Sequence, residues 1–264
     1  MTSAQRNISL LALALLGLTL FAFRTGLGGG FIFDDYPNIV RHEGVHATTL
    51  DAESLAKAAR AYDGPFGRPL ATMSFAVDHA LWGLDPTAFK RVNLAVHSLN
   101  GLLVFMLLLK LPLPSGRAVP QAWLAFAIAL AWAVHPLQVS TVLYVVQRME
   151  MMSLTFVLLA LLCYLTGRSR QLLGARAWPW LLAWLPMVSL GLLAKETAAL
   201  FPAYALALEV ALLGFRTQRD PAGRRWRTAY GLAVGIAVLG YLLWFVPTYV
   251  SPEAFSMRDY GPWE

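Results

Sequence analysis

The sequence predicts an all-α, polytopic membrane bundle, and three observations lead there. Of 264 residues, 58% are hydrophobic and only 14% charged, against about 25% charged in an average soluble domain. Mean hydropathy is +0.56. The apolar residues come in blocks, several approaching the ~20 residues that carry a helix across a bilayer core. A soluble globule of this size has too little interior for so much apolar sequence, which argues against a soluble enzyme and against a disordered chain. The net charge of +6 is explained by loop topology rather than by nucleic acid, and no nucleic-acid partner is expected. The single cysteine, Cys163, lies inside an apolar run. It permits neither an intrachain disulfide nor a thiolate metal cluster.

Seven spans are expected, at about 8–25, 91–111, 121–135, 149–166, 177–194, 197–214 and 229–247. The first has a long apolar core after Arg6 and no small-x-small cleavage site before Arg24. It reads as an uncleaved anchor rather than a signal peptide. The third is short unless Pro136 lies within the membrane. Basic residues set the orientation. With the N-terminus in the cytoplasm, the inner segments carry Arg6; Lys110 and Arg117; Arg168, Arg170 and Arg176; and Arg216, Arg219, Arg224, Arg225 and Arg227, with Asp220 as their only loop acid. Nearly all other carboxylates fall outside.

The largest outer segment, about 26–90, is too short for a separate domain. Thr49–Ala61 reads as a short amphipathic helix capped by Thr49 or Asp51. Asp63-Gly64-Pro65 signals a turn. Arg68–Leu84 is a second helical stretch, too polar at Asp78 and His79 to span comfortably. An interfacial or re-entrant helix with Trp82 at headgroup level fits better. No repeat of fixed period is present.

Five clusters carry chemistry. Phe33-Asp34-Asp35-Tyr36 sets two carboxylates side by side after the first span, following Gly28, Gly29 and Gly30. Adjacent acids repel, so one tends to a raised pKa. The pair is either a solvated turn or, framed by Phe31, Phe33 and Tyr36, a surface-held general base or divalent-cation site. His135-Pro136 and Gln147, Arg148 and Glu150 meet the same face. Arg148 suits a phosphate through its fork of donors, or anchors a helix end by pairing with Glu150. Lys195-Glu196 sits between two spans with almost no exposed loop, so the two either pair together or face an aqueous cavity. Asn93, His97 and Asn100 share one helical face, holding helices together or lining a cavity. His42-Glu43-Gly44-Val45-His46 has zinc-protease spacing. That chemistry needs a helix, which Gly44, Val45, Thr48 and Thr49 oppose, so zinc catalysis is not expected.

Taken in order, Phe33-Asp34-Asp35-Tyr36, Gly67-Arg68-Pro69-Leu70, Leu81-Trp82-Gly83-Leu84, Val92-Asn93-Leu94 with His97, His135-Pro136, Gln147-Arg148 with Glu150, and Ala194-Lys195-Glu196 resemble the GT-C glycosyltransferases. The likeness is to bacterial relatives of the transmembrane, tetratricopeptide-containing O-mannosyltransferases, themselves similar to protein O-mannosyltransferases. It runs from about 31 to 260. It implies one GT-C-like membrane domain over 1–264, ending at Met257–Glu264 where relatives continue, so the chain is expected to be a fragment or a naturally short form. It implies an integral inner (plasma) membrane enzyme with a periplasmic or extracellular active face. The enzyme would move a sugar, with inversion, from a polyprenyl-phosphate carrier to a protein or glycan hydroxyl. By that resemblance Asp35, with Asp34 close behind, is the base. Arg148, Lys195 and Arg68 bind the carrier phosphate, and His135, Glu150, Glu196, Tyr36 and His97 position donor or acceptor. The resemblance does not imply an obligatory metal, and Asp34 and Asp35 are a candidate site for a divalent cation. The competing readings are a transporter or channel, which needs midplane charges and inverted repeats, and a non-catalytic membrane scaffold.

Overall fold

The computed structural model describes residues 2–62, 67–113 and 119–216, with scattered residues between 225 and 247. The turn at Asp63-Gly64-Pro65, Arg117, Arg219, Asp220, Arg224, Arg227, the segment 257–264 and most of the seventh predicted span lie outside the described residues. Among those described, the structure is helical and contains no strand.

Helix α1 (Ser3–Phe23) starts at a capping box, in which Thr2 Oγ1 accepts from the Gln5 amide and Gln5 Oε1 from the Thr2 amide. This satisfies two of the orphan donors that every helix start leaves. Over the following segment, α2 (Ala52–Ala59) is capped by Asp51, which accepts from the Ser54 amide at 2.7 Å. Helix α3 (Pro69–Trp82) begins on a proline, pre-set for the first turn, and stops where Gly83 takes φ 60°. Both predicted outer-segment helices are present, and Trp82 is exposed at the end of α3. The bundle then adds α4 (Pro86–Lys110), α5 (Gln121–Ala133), α6 (Gln138–Leu143), α7 (Arg148–Leu172), α8 (Trp178–Leu192) and α9 (Phe201–Leu208).

Four continuous helical runs are long and apolar enough to cross a membrane: Ser3–Gly26, Pro86–Lys110, Val145–Leu172 and Glu196–Leu213. They correspond to four of the predicted spans. The predicted spans 121–135 and 177–194 form the shorter apolar helices α5 and α8, of 13 and 15 residues. At 1.5 Å per residue these reach about 20–23 Å, short of a hydrocarbon core of about 30 Å. Hydropathy alone does not see what ends α5: the chain turns at Val134 and His135 before Pro136, which cannot extend a helix.

Helices α1, α4 and α5 pack around Leu15, Phe105 and Ala129. A second core joins α7 and α9 through Tyr164, Leu165, Phe201 and Ala205, with Leu181 and Trp184 of α8 packed against it. At Gly167 an added Cβ would lie 2.7 Å from the Leu181 side chain and 3.1 Å from its backbone nitrogen, so only glycine lets α8 come this close to α7. The helices alternate in direction. Lys110, Arg168, Arg170, Arg176 and Arg216 therefore gather at one end of the bundle and the acidic pair at the other. Arg168 was expected among loop charges. It is instead buried in the last turns of α7, paired with the buried Glu209 at 2.5 Å, because a polar partner inside the bundle repays its desolvation.

At the acidic end, the outer segment is joined to the bundle by Arg148. Its guanidinium is fully buried and lies 2.5 Å from the Asp78 carboxylate of α3. It also donates to Asn93 Oδ1 at 2.8 Å and to the Phe89 carbonyl at 2.9 Å, both on α4. Its face rests over the Phe75 ring at 4.9 Å. Arg148→Met leaves Asp78 buried and unpaired, and should cost about 3–5 kcal/mol; Arg148→Met with Asp78→Leu should recover most of that. Burial already pushes the Asp78 carboxyl up, opposed by Arg148, and removing Arg148 pushes it higher. The folded state then holds more protons than the unfolded one, so the single variant's stability rises as pH falls from neutral through the raised pKa toward the ordinary carboxylate range. Thermal unfolding in detergent at neutral and mildly acidic pH measures both effects. A single variant that melts like the parent at neutral pH would refute the role given to the pair.

Candidate active site

The acidic pair leaves α1 through a short turn at Arg24–Gly26 and reaches a bend at Phe33, which has φ 43°. A non-glycine residue is rarely found there, at a cost of roughly 1–2 kcal/mol. The Phe33 side chain is 81% exposed, with its ring edge-on to Tyr144 at 6.3 Å. The bend splits the two carboxylates. Asp35 is fully buried and accepts three backbone N–H bonds: from Val146 at 2.7 Å, Ile32 at 3.1 Å and Val145 at 3.4 Å. Asp34 is exposed. Its amide donates to the Tyr144 hydroxyl at 2.7 Å, and its carbonyl accepts from Asn38 Nδ2 at 2.8 Å.

Burial pushes the Asp35 carboxyl up, and the three amides and the nearby Lys90 ammonium oppose that push. Burial also raises the half-buried Tyr144 phenol, and the Asp34 carboxylate beside it adds to the shift. The phenol therefore stays protonated at neutral pH as a donor toward Asp34. Both Asp35 oxygens are committed to amides, so the pair does not present two free carboxylates to a divalent cation. Among the described residues, no three His, Cys, Asp or Glu side chains converge as metal ligands.

A second group lies beside this clamp. Arg68 Nη2 pairs with Glu196 Oε1 at 2.7 Å, its guanidinium over the Tyr62 ring at 4.3 Å and its Nη1 at 3.2 Å from Met149 Sδ. Lys195 Nζ pairs with Glu150 Oε2 at 2.9 Å. Lys195 and Glu196 do not pair with each other: Glu196 reaches Arg68 at the start of α3 and Lys195 reaches Glu150 on α7, so Glu150 pairs with Lys195 rather than with Arg148. Both acids are 39% exposed, against 15% for Arg68 and 24% for Lys195. The Leu70 amide donates to the Leu193 carbonyl at 3.0 Å, tying α3 to the end of α8 beside these pairs.

Four expected site residues stand elsewhere or do other work. Arg148 has no face open to a phosphate, since its donors are spent on Asp78, Asn93, Phe89 and Ser74. His97 is buried inside the bundle, its Nε2 2.8 Å from the Ala133 carbonyl and its ring stacked on Trp132. With Asn93 and Asn100, which bond to Val142 and Met151 carbonyls, it joins α4 to its neighbours. His135 is exposed in the turn after α5, where its Nδ1 accepts from the Leu137 amide at 3.2 Å. Tyr36 is exposed beneath the Arg41 guanidinium at 5.6 Å. The His42–His46 segment is a single short turn at Glu43–Val45. Its two rings meet different carbonyls, those of Ala61 and Ile39.

Two residues went unread in the sequence. Lys90 is buried and donates to the Gly29 and Gly30 carbonyls at 2.6 and 3.0 Å, holding the approach to the acidic pair. It occupies the same helical face as Asn93, His97 and Asn100, so extending that face one turn back would have found it. Tyr144 carried no local signal, because its partner is 110 residues away.

No protein-family model matches the chain, and no solved structure matches it. Curated proteins do. The human protein O-mannosyl-transferase TMTC2 is 36% identical over 116 residues, which is 44% of this chain and 13% of that protein. In Drosophila melanogaster, protein O-mannosyl-transferase Tmtc1 is 30% identical over 69% of the chain and Tmtc2 28% over 74%, covering 20% and 21% of those proteins. The chain thus spans about a fifth or less of the relatives it matches. Over that part of its length it is a relative of the TMTC protein O-mannosyltransferases.

Proposed function

We propose that the protein is a membrane glycosyltransferase that moves a mannosyl group from a polyprenyl-phosphate carrier to a protein hydroxyl, with Asp34 as general base. The relatives' activity supports the reaction class. The observation that carries the base assignment is the split between the two acids, one fully buried on three amides and the other exposed beside a protonated phenol. A base must reach the proton it removes, and Asp34 alone of the pair is open to an acceptor. Asp35 is the positioning residue that fixes the bend.

In this reading the acceptor oxygen attacks the anomeric carbon as its proton passes to the Asp34 carboxylate. The new C–O bond forms on one face while the bond to the carrier phosphate breaks on the other, so the configuration inverts. The bonding electrons leave with the lipid phosphate, already a good leaving group. Arg68 and Lys195 take up its growing charge, releasing Glu196 and Glu150, which sit at the more exposed ends of their pairs. The concentration of basic residues at the opposite end of the bundle supports a cytoplasmic location for that end. The acidic end then faces the periplasm or the cell exterior.

Transfer of glycan in membranes of a deletion strain complemented with variants tests the roles. Asp34→Asn should lower transfer by about 10²–10⁴-fold while the protein melts normally. Asp35→Asn should lower melting as well as transfer, because its NH2 group faces amide donors and leaves one unsatisfied, at about 1–3 kcal/mol. Full activity of Asp34→Asn would remove the base assignment. Lys195→Met should raise the KM for carrier with little change in melting, a loss of about tenfold or more in kcat/KM. An unchanged KM would take Lys195 out of carrier binding.

A further inference from the structure

On a different face of α4, an open groove of about 280 Å³ is lined by Trp82, Asp85, Ala88, Arg91, Val92 and Ala95. Its floor, Ala88, Val92 and Ala95, follows one helical face at spacings of four and three. Small residues there leave a trough in the surface that faces lipid. Charges of opposite sign stand along it, Asp85 at the start of α4 and Arg91 six residues on, about 9 Å further along the axis. Lys90, next in sequence, points the other way into the Gly29–Gly30 turn and is spent there. Arg91 is exposed and makes no ion pair with any described residue. Asp85 gives one oxygen to the Thr87 amide at 2.9 Å as a helix cap. The other has no partner among the described residues.

An arginine at the start of a membrane-crossing helix, beside apolar surface, needs an anion. The anion found at that depth is a lipid phosphate. From the depth of Arg91 toward water the groove runs cation then anion. A phosphatidylethanolamine headgroup runs in the complementary order, phosphate then ammonium. Its ammonium also has the N–H donors that a carboxylate accepts. Trp82, half exposed at the rim, is the residue type that favours the headgroup layer. We infer that this groove binds one phosphatidylethanolamine molecule, with Arg91 on the phosphate, Asp85 on the ammonium and an acyl chain over Val92 and Ala95. The site is separate from the acidic pair and does not depend on the reaction proposed above.

Native mass spectrometry of the full 264-residue chain in detergent, with equimolar palmitoyl-oleoyl phosphatidylethanolamine, phosphatidylcholine and phosphatidylglycerol, tests it. The expected result is one phosphatidylethanolamine retained about tenfold over either competitor, the worth of one charge-assisted bond. Arg91→Gln should reduce retention of all three lipids to a common low level. Asp85→Asn still caps α4 but lacks the charge, and should bring phosphatidylethanolamine and phosphatidylcholine level. Equal retention by the parent protein, preference for phosphatidylglycerol, or an unchanged preference in either variant would overturn the inference. Displacement of the bound lipid by an equimolar polyprenyl phosphate would overturn it too, reassigning the groove to carrier.

Discussion

A guanidinium buried inside a helical bundle must be answered on every side, and the acidic end of this molecule is organised by that demand. Arg148 draws its counter-charge from Asp78 on α3 and its acceptors from Asn93 and Phe89 on α4. The segment between α1 and α4 is thereby fastened to the bundle by a charge it cannot withdraw from, since either ion alone would be stranded in low dielectric. Asn93 extends the effect. Its amide group donates to the carbonyls of Val142, Tyr144 and Val145 while its oxygen accepts from Arg148. The turn just before α7 is held from both directions, and its amides at Val145 and Val146 are the ones that clamp Asp35.

From that clamp follows the difference between two chemically identical neighbours. Two adjacent carboxylates in the same environment would share one proton and one role. Here the backbone breaks the equivalence. Phe33 takes a left-handed conformation, so Asp35 turns into the amides and Asp34 turns out. The conformational cost sits on Phe33, and the amide bonds to Asp35 offset it. Strain of this kind persists where surrounding contacts over-determine it, and the clamp supplies those contacts. Lys90 adds to the arrangement twice, by tethering the Gly29–Gly30 turn and by placing positive charge near Asp35.

Much of this was legible in the sequence wherever the information is local. Apolar blocks marked the helices, Asp51 and Gly83 marked ends of α2 and α3, and the spacing of Asn93, His97 and Asn100 marked one working face of α4. The partners of that face are carbonyls on α5, α6 and α7, so Asn93, His97 and Asn100 tie α4 to its neighbours. Charge pairing was not legible. Arg148 lies two residues from Glu150 yet pairs with Asp78, seventy residues earlier; Lys195 and Glu196 are adjacent yet pair with Glu150 and Arg68. Sequence proximity is a poor guide there, because residues next to each other on a helix point about 100° apart, whereas packed helices bring distant residues into contact. The same reasoning explains why the sequence puts Asp35 ahead of Asp34 as base while the proposed function reverses that order: the groups that separate them are some 110 residues downstream.

Helix α7 carries the consequence furthest. Arg148 opens it and Arg168 lies twenty residues on, about 30 Å along the axis and about 200° around it. The two buried cations therefore face nearly opposite sides. Arg148 is held by α3 and α4, and Arg168 by Glu209, which also accepts from Tyr164 at 2.7 Å and from the Phe215 amide at 2.9 Å. One helix is thus pinned at each end to a different layer of the bundle. A rotation of α7 that eased one pin would strain the other, so the helix resists turning about its axis in a way that apolar packing, which has no fixed partners, does not impose. The amides that hold Asp35 lie in the turn leading into α7, and Met149 and Glu150 in its first turn meet Arg68 and Lys195. The acidic pair and the two surface ion pairs are referred to the same strut, and their relative placement depends on charges buried at both ends of it.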